Sequence, residues 1–205
     1  MFDRQLLAGD ALEVAPRLLG SVLHAASPEG RVSLRITEVE AYLGDRDPGS
    51  HAFRGMTPRN AVMFGEPGHL YTYFTYGMHT CANVVCSPVG TASGCLLRAG
   101  EVIEGVELAK QRRVTSRAQH DLARGPALLA VALGITLDDG GCDLAGSRIS
   151  LELAEQVPDF AVGPRTGVSG PGGGDEYPWR FWIPGDPTVS PYRRAAPRRR
   201  NTSQG

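Results

Sequence analysis

Alternation between hydrophobic and polar positions is the clearest pattern along this chain, and it predicts β-strands. Residues 31–42 show it best, because apolar side chains recur there at every second position. Another apolar segment, residues 22–26, precedes them, and the turn-forming residues 27–30 separate the two segments. The pattern therefore predicts a β-hairpin whose second strand is the longer one.

The longer strand also carries acidic residues on a face that its other members make apolar. The apolar residues of this face are Val32, Leu34 and Ile36. The period of two places Glu38, Glu40 and Tyr42 on the same face. Only a β-bulge, which inserts one extra residue, would move them to the opposite face.

Two interpretations of Glu40 are open. At a strand end beside a tyrosine, it could be an edge residue that forms a salt bridge. Alternatively it could be a general base, since an active site is where a protein tolerates the cost of a buried carboxylate. Its neighbour Glu38 is expected to be structural and paired with an arginine such as Arg59.

Aromatic residues are concentrated in a second predicted hairpin. Residues 69–75 alternate, Tyr76-Gly77 lies at the expected turn, and residues 78–86 form the return strand. Aromatic residues in strands most often belong to the core. A tyrosine directly before a turn glycine is harder to place there, and at an exposed hairpin tip Tyr76 would be suited to wedging into a base stack.

The remaining segments predict further strands and several helices. Strands are expected over residues 94–99, 149–153, 160–162 and 180–183. Helices are expected after the N-cap Asp10, after Thr57-Pro58, over residues 102–113 and from Gly125-Pro126 to Gly134. Because no regular βαβ repeat occurs, we predict an α+β fold: a single mixed domain with a curved, largely antiparallel sheet, surrounding helices and a protruding β-hairpin.

The domain is expected to span residues 1–190 and to be followed by a basic, disordered tail, residues 191–205. The arginines of this tail are Arg193, Arg194, Arg198, Arg199 and Arg200. The tail could be an electrostatic arm that binds phosphate, or a terminus that only promotes solubility. The whole chain has a net charge of −1, so any contact with a polyanion must come from local arginine clusters.

The composition disfavours several classes of protein. The chain has no apolar run of eighteen residues and no secretory signal at its start. We therefore expect an intracellular protein without a membrane partner, cytoplasmic or, in a bacterium, nucleoid-associated. The four cysteines form no CxxC pair, which favours buried free thiols over a zinc site or disulfides. No cofactor and no metal are expected, and a monomer is the default.

A series of short motifs spans nearly the whole chain before the tail, and its order and spacing are specific. The motifs are Glu38-Val39-Glu40-Ala41-Tyr42, His51, Thr57-Pro58-Arg59-Asn60, Met63-Phe64, Pro67-Gly68, Tyr71-Thr72-Tyr73, Tyr76-Gly77-Met78, Asn83, Leu96-Leu97-Arg98-Ala99, Gly125-Pro126, Arg165-Thr166-Gly167-Val168 and Arg180-Phe181-Trp182. In these motifs the chain resembles the alkyladenine (3-methyladenine) DNA glycosylase family of base-excision repair. The resemblance implies hydrolysis of the N-glycosidic bond of a flipped alkylated or deaminated purine in duplex DNA, such as 3-methyladenine, 7-methylguanine, hypoxanthine or ethenoadenine.

The resemblance also implies the residues of the active site. Glu40 would be the general base that activates water, and Arg98 would help to hold that water. Tyr42 and His51 would form one wall of the base pocket and Tyr73 the other, so that the purine stacks between them.

Further residues receive their functions from the same resemblance. Asn83 would crowd a purine 2-amino group, and Tyr71 would also line the base pocket. Tyr76 would fill the gap that the flipped base leaves in the duplex. Contacts with the DNA backbone would come from Arg59, Gly77 and Met78.

The lysine content bears on the type of glycosylase. Glycosylases with lyase activity need a nucleophilic amine, and Lys110, the only lysine, lies outside every motif. We therefore expect a monofunctional enzyme. Two other functions stay open: a catalytically silent binder of distorted or damaged duplex DNA, and an RNA-binding or tRNA-modifying module, which would prefer single strands.

Overall fold

The computed structural model describes residues 2–75 and 77–195, in which the alternating segments form one antiparallel sheet. Its strands are β1 (Val22–Ser27), β2 (Gly30–Tyr42), β3 (Leu70–Thr75), β4 (His79–Cys86), β5 (Ser93–Glu104), β6 (Ile149–Glu152), β7 (Ala161–Gly163) and β8 (Arg180–Trp182). The α-helices are α1 (Ala11–Leu18), α2 (Val106–Arg112) and α3 (Pro126–Leu133). The predicted α+β fold with a largely antiparallel sheet is confirmed, and the boundary between domain and tail at residue 190 stays a prediction.

The central strand is β2, which is long enough to change partners along its length. The sheet order is β3-β4-β5-β2-β1-β6, and β8 pairs with both β2 and β7. On one edge, β2 pairs with β1 up to Arg35 and then with β8 over residues 38–40. On the other edge it pairs with β5 from Ser33 to Tyr42.

All three helices contribute buried residues to the main core, several each from α1 and α3 but only Ala109 from α2. The Asp10 side chain accepts a hydrogen bond from the Leu12 amide at 2.8 Å, as predicted for the N-cap of α1. Helix α3 ends at Leu133 and is followed by Gly134, whose φ of 68° is typical of a helix C-terminus. Helices α1 and α3 pack on β5, α1 also on β2 and α3 also on β4. Across the described ranges, no helix has the length and apolar composition that crossing a bilayer requires.

The helix predicted over residues 102–113 is shorter in the structure. Val102 still belongs to β5, where it pairs with Leu34 and is buried in the core. The strand ends at Glu104, and Gly105, with φ of 70°, redirects the chain into α2. The apolar start of this segment therefore belongs to the sheet, because tertiary pairing overrides the local helical pattern.

The helix predicted after Thr57-Pro58 was wrong. The Asn60 side chain accepts a hydrogen bond from the Thr57 amide at 2.6 Å, which closes a turn there. Only a 3-10 helix, Ala61–Phe64, follows. The proline therefore starts a turn rather than an α-helix.

Three irregularities interrupt the register between β2 and β5, and two of them are adjacent bulges in the middle of the strands. Thr37 is an extra residue in β2, and Arg98 is an extra residue in β5, so neither has a directly paired residue across the ladder. The pairings on either side are Ile36–Gly100, Glu38–Ala99 and Val39–Leu97.

These bulges reverse which face of β2 is buried in the core. Before Thr37 the core residues are the even-numbered ones, but after it they are Val39 and Ala41. Glu38 and Glu40 consequently leave the core face, where strict alternation would have placed them. The bulge that the sequence left open is therefore present, and it turns two carboxylates toward the opposite face.

Candidate active site

Five directly paired residues form a row across five strands. Tyr71 on β3 is opposite Asn83 on β4, and Asn83 is opposite Leu96 on β5. Leu96 is in turn opposite Glu40 on β2, and Glu40 is opposite Arg180 on β8. Because directly opposite residues of antiparallel strands share a face, the row brings distant parts of the sequence to one side of the sheet.

A cavity of about 370 Å³ lies on this side of the sheet. Its volume is in the range of small-ligand sites, roughly 300–1,000 Å³. The residues to which the family resemblance assigned catalysis and the base pocket all line it: Glu40, Arg98, Tyr42, His51, Tyr71, Tyr73 and Asn83. The fold therefore brings these residues together around one space.

Glu40 is completely buried, and three donors face its carboxylate. The Thr166 amide donates to Oε1 at 2.6 Å, and the Tyr42 hydroxyl donates to Oε2 at 2.8 Å. Arg98 Nη1 lies 3.2 Å from Oε1. Burial and the neighbouring Glu40 charge raise the pKa of Tyr42 well above its usual value, so its hydroxyl keeps the proton that it donates.

Arg98 lies between two carboxylates because its bulge directs it toward both. Its Nε donates to Glu38 Oε1 at 2.8 Å, while Nη1 faces Glu40. Burial opposes the charged form, but the charges of Glu40 and Glu38 raise the pKa of Arg98 above its usual value. Arg98 is therefore a permanent cation beside the candidate general base.

The predicted pairing of Glu38 with Arg59 was wrong. Glu38 pairs with Arg98 at 2.8 Å and with Arg180 at 2.6 Å, and its side chain is completely buried. Arg59 instead donates from Nη2 to the Phe74 carbonyl at 3.0 Å, which ties the turn after Pro58 to the end of β3. The expectation that Glu38 is paired with an arginine was right, but the identity of the arginine depends on β8.

Arg165 supports one side of the cavity, although sequence analysis assigned no function to it. Its guanidinium donates to both carboxylate oxygens of Asp47, at 2.6 and 2.7 Å, and both side chains are fully buried. The guanidinium carbon lies 4.4 Å from the centre of the Tyr42 ring. Asp47 was missed entirely, and the Arg165-Thr166-Gly167-Val168 motif was the only sign of the loop that carries the Thr166 amide.

The structure groups the aromatic rings differently from the prediction. His51 contacts Tyr73 edge to face, with ring centres 4.5 Å apart, and Tyr73 stacks on Tyr71 at 5.8 Å. These three rings therefore form one wall, so His51 belongs with Tyr73 rather than with Tyr42. Burial and the charge of Arg59 lower the pKa of His51, so its ring is neutral near pH 7.

Asn83 is held at the same wall by the sheet. Its Nδ2 donates to the Tyr71 carbonyl at 3.1 Å, and the residue is buried. This bond fixes the side chain that lines the cavity between Tyr71 and Leu96.

The hairpin of β3 and β4 extends beyond this wall and ends in a tight turn. Met78 donates its amide to the Thr75 carbonyl at 3.2 Å, and Gly77 has a φ of 68°. Met78 is 68% exposed, which is unusual for a large apolar side chain. Tyr76, the predicted wedge, lies outside the described residues.

Comparison with known proteins gives the same family as these motifs. The profile of the methylpurine-DNA glycosylase (MPG) family matches residues 5–187. A protein of Leifsonia xyli subsp. xyli is 61% identical over 196 residues, which is 93% of this chain and 92% of that protein. A protein of Streptomyces avermitilis is 56% identical over 204 residues, which is 97% of this chain and 95% of that protein. Both carry the provisional name 3-methyladenine DNA glycosylase. The chain therefore belongs to the methylpurine-DNA glycosylase family, whose members are hydrolases of DNA repair.

Proposed function

We propose that this DNA glycosylase hydrolyses the N-glycosidic bond of a damaged purine that is flipped out of duplex DNA into the cavity. The observation that supports this best is the Glu40 carboxylate in a cavity with aromatic walls. Glu40 takes a proton from water while the water oxygen bonds to the anomeric carbon of the sugar. The bond from that carbon to the purine nitrogen breaks, and its electron pair leaves with the purine. An abasic site remains in the DNA.

The structure shows the carboxylate in a covered state. Glu40 has no exposed surface, and the Tyr42 hydroxyl covers Oε2 at 2.8 Å. Water that attacks the sugar must therefore reach Glu40 from the cavity that Glu40 and Tyr42 both line. Thr166 lines the same cavity, and among residues 2–75 and 77–195 its hydroxyl is the one buried side-chain polar group without a hydrogen-bond partner. Such a group is available to a ligand, since leaving it unpaired costs free energy.

Substrate selection follows from the aromatic walls. One face of the Tyr42 ring is covered by Arg165, so the purine stacks on its other face and against the wall of His51 and Tyr73. Stacking contributes about 1–3 kcal/mol per base, and a cationic alkylated purine adds attraction to tyrosine. Alkylated purines such as 3-methyladenine and 7-methylguanine are therefore favoured, and Asn83 crowds the 2-amino group of normal guanine. Hypoxanthine and ethenoadenine are neutral and also require protonation of the leaving base.

The hairpin tip and the lysine content complete the proposal. Tyr76 fills the gap in the duplex, and Gly77, Met78 and Arg59 contact the DNA backbone beside it. Lys110, the only lysine, pairs with Glu107 on α2 and does not line the cavity. The enzyme is therefore monofunctional and forms no Schiff base with the sugar. We also propose that the enzyme acts as a monomer.

The decisive experiment measures release of free purine from a duplex that contains 7-methylguanine or hypoxanthine, under single-turnover conditions. Glu40→Gln keeps the shape of the side chain but removes the base, so we expect release to slow by about 10²- to 10⁴-fold. Binding to the same duplex should be nearly unchanged, which separates lost chemistry from lost recognition. Wild-type rates in the Glu40→Gln variant would remove Glu40 from the mechanism, and a wild-type protein that binds lesions without releasing purine would be a silent binder.

A further inference from the structure

Four buried charged side chains form a cluster beneath the cavity. Arg98 and Arg180 both donate from Nε to Oε1 of Glu38, at 2.8 and 2.6 Å. Arg98 also reaches Glu40, from Nη1 to Oε1 at 3.2 Å. The two glutamates are fully buried and the two arginines are 6% exposed. Two negative and two positive charges therefore balance within this buried cluster.

The segment after β8 completes the surroundings of Glu38. The Ser190 amide donates to Glu38 Oε2 at 2.7 Å, and its hydroxyl donates to Oε1 at 3.0 Å. Arg180 Nη2 donates to the Ser190 carbonyl at 3.0 Å. Burial opposes ionisation of Glu38, yet the charges of Arg98 and Arg180 hold its pKa below the usual value. Glu38 does not line the cavity, so it can influence the reaction only indirectly, through its contact with Arg98 and through its charge.

The proposal builds on the hydrolysis described above. We infer that Glu38 and Arg180 are positioning residues for that reaction. Glu38 holds Arg98 against Glu40, and Arg180 supplies the second positive charge that lets two neighbouring buried carboxylates be ionised together. Without Arg180, two carboxylates share one cation, and in a buried site a net negative charge favours protonation of one of them.

The other groups that face Glu40 do not supply this charge. Tyr42 on β2, Tyr73 on β3 and Cys81 on β4 have pKa values raised by burial, so they are neutral near pH 7. Arg165 is also close enough to interact with Glu40, but its charge is matched by its bidentate pair with Asp47. The balance around Glu40 therefore depends on Arg98, Glu38 and Arg180.

The test is the pH dependence of single-turnover purine release in three variants. Arg180→Gln leaves the cluster with a net negative charge. The acidic limb of the pH–rate profile, where activity is lost on acidification, should therefore move up by about one pH unit. Glu38→Gln leaves a net positive charge, so the same limb should move down, with a roughly tenfold lower plateau because Arg98 loses its anchor. The double variant restores neutrality, and its acidic limb should return to that of the wild type.

If Glu38 and Arg180 were merely structural, their substitutions would not move the acidic limb in opposite directions, and the double variant would not restore it. Limbs that coincide in all variants, or that move in the same direction, would overturn the inference. Arg180→Lys, which keeps the charge, should retain the acidic limb of the wild type. If Arg180→Gln does not fold, the comparison of Arg180→Lys with Glu38→Gln tests the inference instead. Absence of purine release by the wild type would instead refute the proposed function, so the two failures are distinguishable.

Discussion

Arg165 connects the stability of the fold to the geometry of the cavity. Besides its two bonds to Asp47, it donates to the carbonyl of Ala41 at 3.0 Å and to that of Gly172 at 2.7 Å. It thereby joins the end of β2 to two loops, and the next residue along the chain, Thr166, binds Glu40. A buried guanidinium with this many acceptors is stable only while its counter-ion is present.

The substitution Asp47→Asn should therefore be strongly destabilising. It removes the counter-ion of a fully buried arginine, and we expect the free energy of unfolding to fall by about 3–5 kcal/mol. Urea denaturation at pH 7 would measure this. The matched control is Asp10→Asn, because Asp10 also pairs with an arginine, Arg46, but at the surface. Asparagine keeps the N-cap of α1, so the control should lose less than about 1 kcal/mol. Equal losses would contradict the importance of burial.

The elements themselves were largely predictable because their signals are local. Turn residues marked the hairpin of β1 and β2, an N-cap residue marked the start of α1, and a glycine marked the end of α3. What the sequence could not decide was the face on which Glu40 lies, since that depends on the pairing of β2 with β5. The same limit explains the wrong helix start at residue 102, where a strand partner outweighs the helical pattern.

Gly100 marks the place where the bulged strands approach each other. A Cβ atom there would lie 2.5 Å from the Arg35 carbonyl oxygen and closer still to Leu34 Cδ2. Neither the backbone nor the core side chain can move away without disturbing the register that carries Arg98 and Glu40. A glycine in a strand is therefore the one sequence feature that could have indicated the bulge.

We expect Gly100→Ala to lower the free energy of unfolding by about 1–3 kcal/mol, as overpacking does, and to slow purine release as well. Chemical denaturation and single-turnover kinetics on one preparation would measure both effects. Gly174→Ala is a suitable control, since its φ is −77° and the nearest atom to a Cβ, the Pro171 carbonyl oxygen, is 3.4 Å away. That control should be close to neutral. An equally mild effect at Gly100 would mean that β2 and β5 tolerate a wider separation.

For the whole molecule, the question is how a chain with a net charge of −1 binds DNA. The start of the predicted tail gives part of the answer. The Gly167 amide donates to the Arg193 carbonyl at 2.9 Å, and Gly167 lines the cavity. Arg193 and Arg194 are exposed beside it, whereas Arg198, Arg199 and Arg200 lie outside the described residues. Two exposed arginines thus belong to a segment that is bonded to the cavity lining, and under the proposed function they would meet the phosphates next to the flipped nucleotide.

Replacement of both Arg193 and Arg194 by glutamine should consequently weaken binding to duplex DNA and reduce its salt dependence. Each lost phosphate contact lowers the slope of log K against log salt by about one, so the double variant should lose up to about two. Titrations of a lesion duplex at several salt concentrations would measure the slope, and the single-turnover rate at saturation should stay unchanged. Arg31→Gln is the control, because Arg31 is exposed near the start of β2, about 30 Å along the strand from Glu40. If the tail variant and the control give the same slope as the wild type, the arginines only promote solubility, and the phosphate contacts must come from the hairpin and Arg59.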